Sequence, residues 1–428
     1  MLAAGATLDE WLTHIERVHP RAIEMGLDRV NAVRDAMGLT PSFPIVTVGG
    51  TNGKGSACAM LEAILDEAGY RVGCYTSPHI LRYNERIHVG RREASDEAII
   101  TALGAVETAR GDIPLTYFEF STLAAMWLFM RENVEVAVLE VGLGGRLDAV
   151  NAFDADCALL MSVDLDHVDY LGGTREAIGF EKAGIFRRGR PAVCADRHPP
   201  STVTDHAAAI GAQLLLIQRD FGYEAQAQQW RYWGPERERH GLPHPALRGE
   251  FQIANASAVL AALDTLRERL PVSAGNIRTG LLTAENPARF QVLPGRPLVI
   301  LDVAHNPAAA RSLAHNLAHM KSAGRTYAVF AMLKDKDIAG VIDAVRDHID
   351  EWLVAPSVGP RGADAAALRE ELARASVFES VSAFESIAAA YRSVCDRAAP
   401  DDRIVVFGSF YTVAAVMAVR DVGIGGAR

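Results

Sequence analysis

Short apolar runs alternate with segments of helical periodicity along the first half of the chain. The runs that have the length and composition of buried strands are "FPIVTVGG", "RVGCYTS", "VEVAVLEVG", "CALLMSV", "RPAVCA" and "AQLLLIQ". Helical segments run up to Ala68, begin after Ser95, and lead through "STLAAMWLFMREN" into the third strand. Buried strands separated by helices predict a mainly parallel sheet with helices on its faces. Because right-handed crossovers place the following loops along one edge, we expect ligands to bind there.

The pattern changes over residues 221–247, where the chain becomes polar, aromatic and interrupted by glycine and proline. We predict a peripheral hairpin or flap there. Helical periodicity resumes over 249–270 and again after Ser273, and a turn is predicted over 284–297. A new series of strand-like runs follows: "LVILDVAHNP", "TYAVFAML", "EWLVAPS" and "DRIVVFGSF". This series predicts a second, smaller α/β domain.

The chain length supports a division into two domains. At 428 residues, the chain exceeds what one compact core usually holds. We therefore predict an α/β protein with domains at residues 1–288 and 289–428. The first is expected to be a P-loop-type domain with a mainly parallel sheet flanked by helices. The second is expected to be a smaller Rossmann-like α/β domain.

Composition and charge argue against several classes of protein. Acidic residues outnumber basic ones by 53 to 43, and the net charge of −10 argues against partners bound through phosphate neutralisation, namely nucleic acids and acidic membranes. The five cysteines form no CxxC pair, so neither a disulfide framework nor a zinc knuckle is indicated. No signal-peptide pattern is present, and no run approaches the roughly 18 apolar residues that span a bilayer. We expect a cytoplasmic protein and a monomer.

A glycine-rich turn between the first strand and its helix carries the clearest candidate chemistry. The strand ends at Val48, and "GGTNGKGS" leads into an apolar-periodic helix. Glycines let backbone N–H groups approach phosphate oxygens, and a helix N-terminus favours anions. We predict a nucleotide-phosphate loop with Lys54 at the outer phosphates and Ser56 at magnesium. The candidate cofactor-binding residues of this loop are Gly50, Thr51, Asn52, Gly53, Lys54, Gly55 and Ser56.

Acidic and histidine side chains follow two further strands. Glu140 ends "VEVAVLE", and a buried carboxylate requires a partner, which is either a cation beside the nucleotide loop or a salt bridge. The "GLGG" turn that follows is not a dinucleotide fingerprint, because Leu147 occupies the position of the third glycine. His167 follows "CALLMSV" in "DLDHVDYLG", where a structural histidine is the alternative to a ligand at the sheet edge.

The loop departs from the strict GxxxxGK[ST] pattern because Gly55 separates Lys54 from Ser56, and a glycine-rich turn with a surface lysine is the alternative. In this form, "GTNGKGS" resembles the nucleotide loop of the Mur ligase superfamily of ATP-dependent amide-forming ligases. Within it, the chain resembles the folylpolyglutamate synthase family in its bacterial bifunctional form. The resemblance extends from about Leu8 to Ala418. Its motifs, in chain order, are "GTNGKGS", "YTSPHILRYNERI", "LTYFEFSTLAA", "LEVGLGGRLDAVN", "LDHVDYLG", "EKAGIFR", "DVAHNP", "MLKDKDI" and "GSFYTV".

The resemblance implies ATP and two magnesium ions as cofactors. Its implied metal ligands are Ser56, Ser77, Glu140 and His167. It also implies that Lys182, in "EKAGIFR", is carbamylated and helps to orient the magnesium ligands. A desolvated lysine is neutral enough to react with carbon dioxide, whereas the alternative is a salt-bridged lysine.

The resemblance also implies a pterin site in the first domain. Phe118 and Arg82 are expected in loops, where an aromatic ring stacks on a pterin and an arginine holds a carboxylate. Asp148 is expected to bond the amidine-like edge of the pterin. The alternatives are that Phe118 is a core residue and that Arg82 is a solvated charge.

In the second domain, "VILDVAHNP" ends a strand with Asp302 and His305. We expect Asp302 to bind the ribose of ATP or to organise its phosphates, and His305 to lie near the incoming glutamate or the γ-phosphate. Similarity to the family adds Asn255 for adenine or ribose, Arg289 for phosphate and Ser409 for glutamate. The alternative for each residue is capping or packing.

The implied reaction is ligation of L-glutamate to dihydropteroate and to reduced folates through an acyl phosphate. Its implied catalytic residues are Lys54, Lys182, Asp302 and His305. The first domain would bind ATP and the pterin, and the second would contribute contacts to ATP and glutamate, with a cleft that closes against water. The alternatives are another Mur-type ligase, such as one acting on a cell-wall precursor, and a nucleotide-binding regulator without activity. Whether both synthase activities are present is left open.

Overall fold

The computed structural model describes residues 5–424 other than 22, 250, 321–323 and 379. The predicted domain limits at residues 1 and 428 lie outside this range. The described chain divides into two compact units. The first contains the residues up to Ala246 together with Ile253–Glu285, and the second contains Leu247–Gln252 and the residues from Asn286 onward.

The elements up to residue 285 alternate as the apolar pattern predicts. The helices are α1 (Leu8–Val18), α2 (Asp28–Ala36), α3 (Lys54–Glu67), α4 (Asp96–Arg110), α5 (Tyr117–Arg131), α6 (Val168–Leu171), α7 (Arg175–Ala183), α8 (Ser201–Ile210), α9 (Gln252–Thr265) and α10 (Ala274–Thr283). The strands are β1 (Ile45–Gly49), β2 (Val72–Tyr75), β3 (Ile87–Val89), β4 (Arg92–Glu93), β5 (Val136–Glu140), β6 (Cys157–Leu160), β7 (Pro191–Cys194), β8 (Gln213–Leu216), β9 (Gly222–Ala225), β10 (Trp230–Trp233) and β11 (Glu238–Leu242). Two short 3₁₀ helices span Tyr83–Arg86 and Ala149–Ala152.

The large sheet of the first unit has eight strands in the order β4-β3-β2-β5-β1-β6-β7-β8. The strands from β2 to β8 in this order are parallel, and β3 and β4 add an antiparallel edge. In the central register, Val48 of β1 lies opposite Glu140 of β5. The carboxyl ends of β2, β5, β1 and β6 therefore follow one another along a single edge of the sheet, as predicted.

The second unit contains a mixed sheet of six strands in the order β12-β13-β17-β14-β15-β16. Its strands are β12 (Gln291–Leu293), β13 (Leu298–Leu301), β14 (Thr326–Phe330), β15 (Glu351–Val354), β16 (Val381–Ala383) and β17 (Arg403–Phe407). Its helices are α11 (Pro307–His319), α12 (Ile338–Val345), α13 (Ala365–Arg374), α14 (Ile387–Arg397) and α15 (Phe410–Ile424), and a 3₁₀ helix spans Arg346–His348. Among these six described strands, β12 is antiparallel to β13 and the other neighbours are parallel. The predicted α/β fold class is confirmed.

Local sequence determines how several helices begin. Thr116 caps α5 in a reciprocal capping box with Glu119, and Thr174 caps α7 by accepting a hydrogen bond from the Ala177 N–H. At α11, the Asn306 side chain accepts from the Ala309 N–H while Pro307 occupies the first helical position. Within the described residues, no helix is both long enough and apolar enough to cross a membrane.

The structure differs from the sequence prediction in three places. The predicted hairpin over 221–247 is a three-stranded antiparallel sheet, with β10 between β9 and β11. The predicted turn over 284–297 contains β12, whose residues are all half-buried and so produce no apolar run. The prediction that Phe118 lies in a loop is wrong, because the Thr116 cap starts α5 one residue before it.

Candidate active site

The glycine-rich loop of the first unit is fastened to the segment that follows β6. The Thr51 N–H donates to the Ser162 carbonyl at 2.7 Å, and the Asn52 N–H donates to the Ser162 hydroxyl at 3.0 Å. The Thr51 hydroxyl also donates to the Asp164 carbonyl at 3.0 Å. These bonds hold the loop open between β1 and α3, where the first N–H groups of α3 have no acceptor within the helix. The loop thus has the geometry of an anion-binding site.

Two glycines of this loop have backbone conformations that other residues rarely adopt. Gly50 has φ of 142°, and a Cβ there would lie 3.0 Å from both the Met161 Cβ and the Ser162 nitrogen. Gly53 has φ of 88° and is the N-cap residue of α3, and a Cβ there would lie 3.0 Å from the Asn255 Oδ1. The structure therefore brings Asn255, on α9, against the phosphate loop.

Replacing Gly50 with alanine is expected to lower the free energy of unfolding by about 1–3 kcal/mol, because both the positive φ and the close approach of Met161 oppose a Cβ. Urea denaturation measures this change. Gly173→Ala is the matched control, since a Cβ at Gly173 meets nothing within 4 Å. Equal stability of the two variants would contradict the conclusion that the backbone conformation and close packing at Gly50 require glycine.

Lys54 occupies the first position of α3, and its ammonium folds back over the loop. The Nζ donates to the Gly50 carbonyl at 2.9 Å and to the Thr51 carbonyl at 3.3 Å. The charge is thus held over the glycine-rich turn between β1 and α3. An ammonium in this position can stabilise transferred phosphate charge as a point cation.

Glu140 and Ser77 meet at the ends of the adjacent strands β5 and β2. Glu140 is buried, and its Oε2 accepts a hydrogen bond from the Ser77 N–H at 3.1 Å. His167, in the left-handed region at φ of 51°, follows β6 on the other side of β1. No group of three or more His, Cys, Asp or Glu residues that could hold a metal is found in the described part of the chain. A metal site here would therefore depend on hydroxyl oxygens of serine as well as on Glu140, a donor set that suits magnesium.

Lys182 is brought to the same edge by packing of the α7 end against the "GLGG" turn. The Arg146 N–H donates to the Glu181 carbonyl at 2.7 Å, and a Cβ at Gly145 would lie 2.9 Å from the Lys182 carbonyl oxygen. The Lys182 side chain is buried. Burial, reinforced by the charge of Lys54, lowers the pKa of Lys182 to about 7. Its neighbour Glu181 pairs with Arg146 at 2.8 Å, and no ion pair of Lys182 is found within the described residues.

Asp148 and Phe118 also adjoin this turn. Asp148 is buried and accepts hydrogen bonds from the N–H groups of Leu143 and Val150 at 2.8 and 2.9 Å. Burial raises the pKa of Asp148 to about 6, against the opposing effect of these bonds. The half-buried Phe118 ring covers Gly142, where a Cβ would lie 2.7 Å from the ring. The structure thus brings both residues to the loop that follows Glu140.

Arg82 lies farther out. Its side chain is 65% exposed, and its guanidinium lies 3.7 Å from Glu93 and 3.8 Å from Asp96. These contacts resemble those of a solvated surface charge, and carboxylate binding by Arg82 stays a prediction.

In the second unit, Asp302 follows β13 and organises the turn after it. Its Oδ2 accepts from the Phe290 N–H at 2.8 Å and its Oδ1 accepts from the Ala304 N–H at 2.7 Å. Desolvation raises the pKa of Asp302 to about 6, although the charge of Arg289 opposes this shift. Asp302 and Arg289 are therefore electrostatic neighbours, and the predicted phosphate and ribose residues of this unit lie together.

His305, Arg289 and Ser409 converge on the ends of the adjacent strands β13 and β17. The His305 Nδ1 lies 2.7 Å from the Val303 carbonyl, so it donates and leaves Nε2 as the acceptor of the neutral ring. Phe410 connects the group, with its ring 6.2 Å from His305 and 4.9 Å from the Arg289 guanidinium carbon. Ser409 is buried and accepts from the Thr412 N–H at 3.0 Å as the cap of α15. Sequence reasoning missed Phe410, although its place directly after Ser409 at a strand end was the available signal.

Comparisons with known proteins show the family of the chain. The family model described as Mur ligase middle domain matches residues 48–263, and the model described as Mur ligase, glutamate ligase domain matches residues 288–410. The dihydrofolate synthase/folylpolyglutamate synthase of Escherichia coli (strain K12) is 43% identical over 419 residues, which cover 98% of this chain and 96% of the relative.

Two solved structures extend the similarity to three dimensions. E. coli FolC in complex with DHPP and ADP is 43% identical, with a TM-score of 0.94 over 99% of this chain and 100% of that chain. A bifunctional folylpolyglutamate synthase/dihydrofolate synthase with Mn, AMPPNP and L-glutamate bound is 44% identical, with a TM-score of 0.91 over 98% and 99% of the two chains. The chain therefore belongs to the Mur ligases and, within them, to the dihydrofolate synthase/folylpolyglutamate synthase family.

Proposed function

We propose that this protein ligates L-glutamate to dihydropteroate and to reduced folates at the expense of ATP. The observation that carries the proposal is the arrangement at the edge of the large sheet, where a loop suited to anions, with Lys54, adjoins the buried Glu140 and its half-buried partner Ser77. Relatives that bind ADP, or Mn with AMPPNP and L-glutamate, support the choice of ligands. Dihydropteroate, reduced folates and L-glutamate are the proposed small-molecule substrates.

The proposed chemistry follows from the poor leaving ability of a carboxylate oxygen. A carboxylate oxygen of the pteroate or folate attacks the γ-phosphorus of ATP, so an acyl phosphate forms and ADP leaves. The amino group of L-glutamate then attacks the acyl carbon, and the tetrahedral intermediate collapses to an amide with loss of orthophosphate and a proton. Most of the protein's task is to position these groups and to neutralise charge.

In the first unit, the loop N–H groups and Lys54 would hold the phosphates of ATP. Ser56, Ser77 and Glu140 supply oxygen donors for magnesium, and His167 is the proposed additional ligand. When bound, magnesium would neutralise charge on the transferred phosphoryl group. Asn255, which lies against Gly53, is proposed to contact the nucleotide.

The acid substrate is proposed to bind where Phe118 and Asp148 flank the loop after Glu140. Phe118 offers a half-buried ring face for stacking on the flat pterin. Asp148 offers a carboxylate whose charged form is disfavoured by burial, so a ligand that donates hydrogen bonds to it is favoured. Binding of the acid is therefore expected to weaken below about pH 6, where Asp148 becomes protonated.

In the second unit, Arg289 is proposed to contact phosphate and Asp302 to contact the ribose or to organise the phosphates. His305, whose Nδ1 is held by the Val303 carbonyl, presents Nε2 as a hydrogen-bond acceptor for the ammonium group of glutamate. A contact from Ser409 to glutamate would compete with its capping bond to the Thr412 N–H. A cytoplasmic location is proposed, supported by the free state of all five cysteines.

Lys182 is proposed to be carbamylated. Its neutral amine would attack carbon dioxide to form a carbamate and release a proton, which requires the unprotonated form. Because the pKa of Lys182 is lowered to about 7, that form predominates above about pH 7 and disappears below it. The carbamate would add a negative charge that orients the magnesium ligands.

Removal of carbon dioxide is expected to lower ligase activity about tenfold or more, and bicarbonate is expected to restore it. The measurement is the rate in degassed buffer at pH 8, with isotope-labelled bicarbonate added to detect the carbamate at neutral pH. Lys182→Met should lose both the label and the response to bicarbonate. Full activity without carbon dioxide would contradict carbamylation while leaving the ligase proposal intact.

The decisive experiment on function offers purified protein Mg-ATP and L-glutamate with dihydropteroate or tetrahydrofolate, and weighs the products by mass spectrometry. A product heavier by one glutamyl residue, with ADP released only when glutamate is present, is expected from each acid. Activity with a muramyl nucleotide instead would support another Mur-type ligase. Nucleotide binding without glutamate-dependent ADP release would support a regulator.

A further inference from the structure

Arg86 is a buried arginine for which the described residues provide no carboxylate partner. It is the last residue of the 3₁₀ helix Tyr83–Arg86, and only 8% of its surface is exposed to solvent. Its Nε donates to the His79 Nδ1 at 2.8 Å. Within the described residues, neither an ion pair nor a hydrogen bond of its Nη atoms is found. A buried cation that lacks a counter-charge is costly, so this arrangement requires an explanation.

The neighbouring groups do not supply the missing charge. His79 accepts the hydrogen bond of the Arg86 Nε through its Nδ1, and an imidazole carries no negative charge that could balance the guanidinium. The adjacent carboxylate of Glu85 accepts from the backbone N–H groups of Ile80, Leu81 and Arg82 at 2.6–2.7 Å. The Glu85 carboxylate therefore binds the backbone of the turn and does not pair with Arg86.

Two aromatic rings form the remaining walls around Arg86. Its guanidinium carbon lies 5.6 Å from the Tyr83 ring centre and 5.4 Å from the Tyr117 ring centre. The Tyr83 hydroxyl is held by the Ser121 hydroxyl at 2.8 Å, which fixes that ring. Aromatic faces attract a cation only weakly and leave the Nη edge of the guanidinium without an acceptor. The cluster therefore presents a positively charged guanidinium beside two aromatic rings.

The position of Arg86 connects it to the proposed acid site. Its carbonyl accepts from the Thr76 N–H at 2.9 Å, one residue before Ser77. Tyr117 directly precedes Phe118 on α5. Arg86 therefore lies between the Ser77 end of β2 and the helix that carries the proposed stacking ring.

We propose that Arg86 is a binding residue for the acid substrate, whose carboxylate the two Nη atoms hold in a bidentate pair between Tyr83 and Tyr117. This inference rests on the proposed function and deepens it, since it identifies the group that recognises the acid. Planar, paired donors match a carboxylate in a way that a lysine ammonium does not. The carboxylate has two possible sources: the reacting group of a pteroate, or the α-carboxylate of a folate that already carries glutamate.

The test measures steady-state kinetics of Arg86→Lys and Arg86→Gln with dihydropteroate and with tetrahydrofolate. The KM of the acid is expected to rise about ten- to a hundredfold, with the KM of ATP changed by less than about twofold. If KM rises for both acids, Arg86 binds the reacting carboxylate, which both acids carry. If KM rises for tetrahydrofolate alone, Arg86 binds the α-carboxylate, which dihydropteroate lacks. Arg92→Gln, at an exposed arginine of β4, is the matched control and should change neither KM.

Unchanged KM values for both acids in variants with normal unfolding midpoints would overturn the inference. So would a parallel rise in the KM of ATP, because it would show that Arg86 supports the whole loop rather than the acid. If neither variant folds, binding of dihydropteroate and of its carboxamide to the wild-type protein, without ATP or magnesium, replaces the kinetics, and equal affinities would overturn the inference. A wild-type protein without glutamate-dependent ADP release would contradict the proposed function itself.

Discussion

Lys54→Ala is expected to lower the rate of glutamate-dependent ADP release by about 10³-fold or more. The Lys54 ammonium is held by the carbonyls of Gly50 and Thr51, so its charge lies over the loop that is proposed to bind phosphate. Alanine keeps the helical propensity at the start of α3 and removes the ammonium together with its hydrogen bonds to the Gly50 and Thr51 carbonyls. The loss should therefore appear in turnover and ATP affinity, with little change in stability.

The measurement pairs a coupled ADP assay with thermal unfolding. Arg188→Ala is the control, because this exposed arginine precedes β7 and so lies at the opposite, amino-terminal edge of the sheet. Near-normal turnover of a folded Lys54→Ala protein would contradict the assignment of the phosphate loop. Loss of folding would instead indicate that the hydrogen bonds from Lys54 to the Gly50 and Thr51 carbonyls are needed to stabilise the fold.

Glu140→Gln is expected to lower turnover about 10²-fold and to raise the magnesium concentration needed for half-maximal rate. Glutamine retains the size of the side chain and an oxygen that can accept the Ser77 N–H. It removes the negative charge that a hard divalent cation requires. The effect should therefore be partly relieved at high magnesium, unlike the effect of Lys54→Ala.

A titration of rate against magnesium concentration measures this difference. Glu135→Gln is the matched control, since Glu135 is exposed and lies just before the other end of the same strand. An unchanged magnesium requirement in Glu140→Gln would show that the carboxylate supports the fold through Ser77 and does not serve a metal.

The phosphate loop and the strand-end positions of the candidate residues were predictable from sequence. A strand, a glycine turn and an apolar-periodic helix are local patterns, and the parallel arrangement of strands brings their carboxyl ends to one edge. Glu140 was therefore expected beside Lys54, and the structure confirms that β5 pairs with β1. The edge strand β12 could not be predicted because its half-buried residues produce no run.

Burial and side-chain partners were decided by tertiary packing. Arg82 and Arg86 occupy one short motif, yet Arg82 is largely exposed and Arg86 is buried between two tyrosines. Phe118 lies on a helix and covers Gly142 from a distant part of the chain. No local pattern distinguishes these outcomes, because they depend on which surfaces the helices cover.

The sequence by itself determined the α/β class, the glycine-rich loop between β1 and α3 and the carboxylates at strand ends, because each depends on residues that are neighbours along the chain. Only the tertiary structure decided that Lys182 is buried at the same sheet edge, with its pKa lowered, and that Arg86 is buried without a carboxylate partner among the described residues. Both properties are set by desolvation and by charges contributed from separate elements, and these arise only when the chain packs.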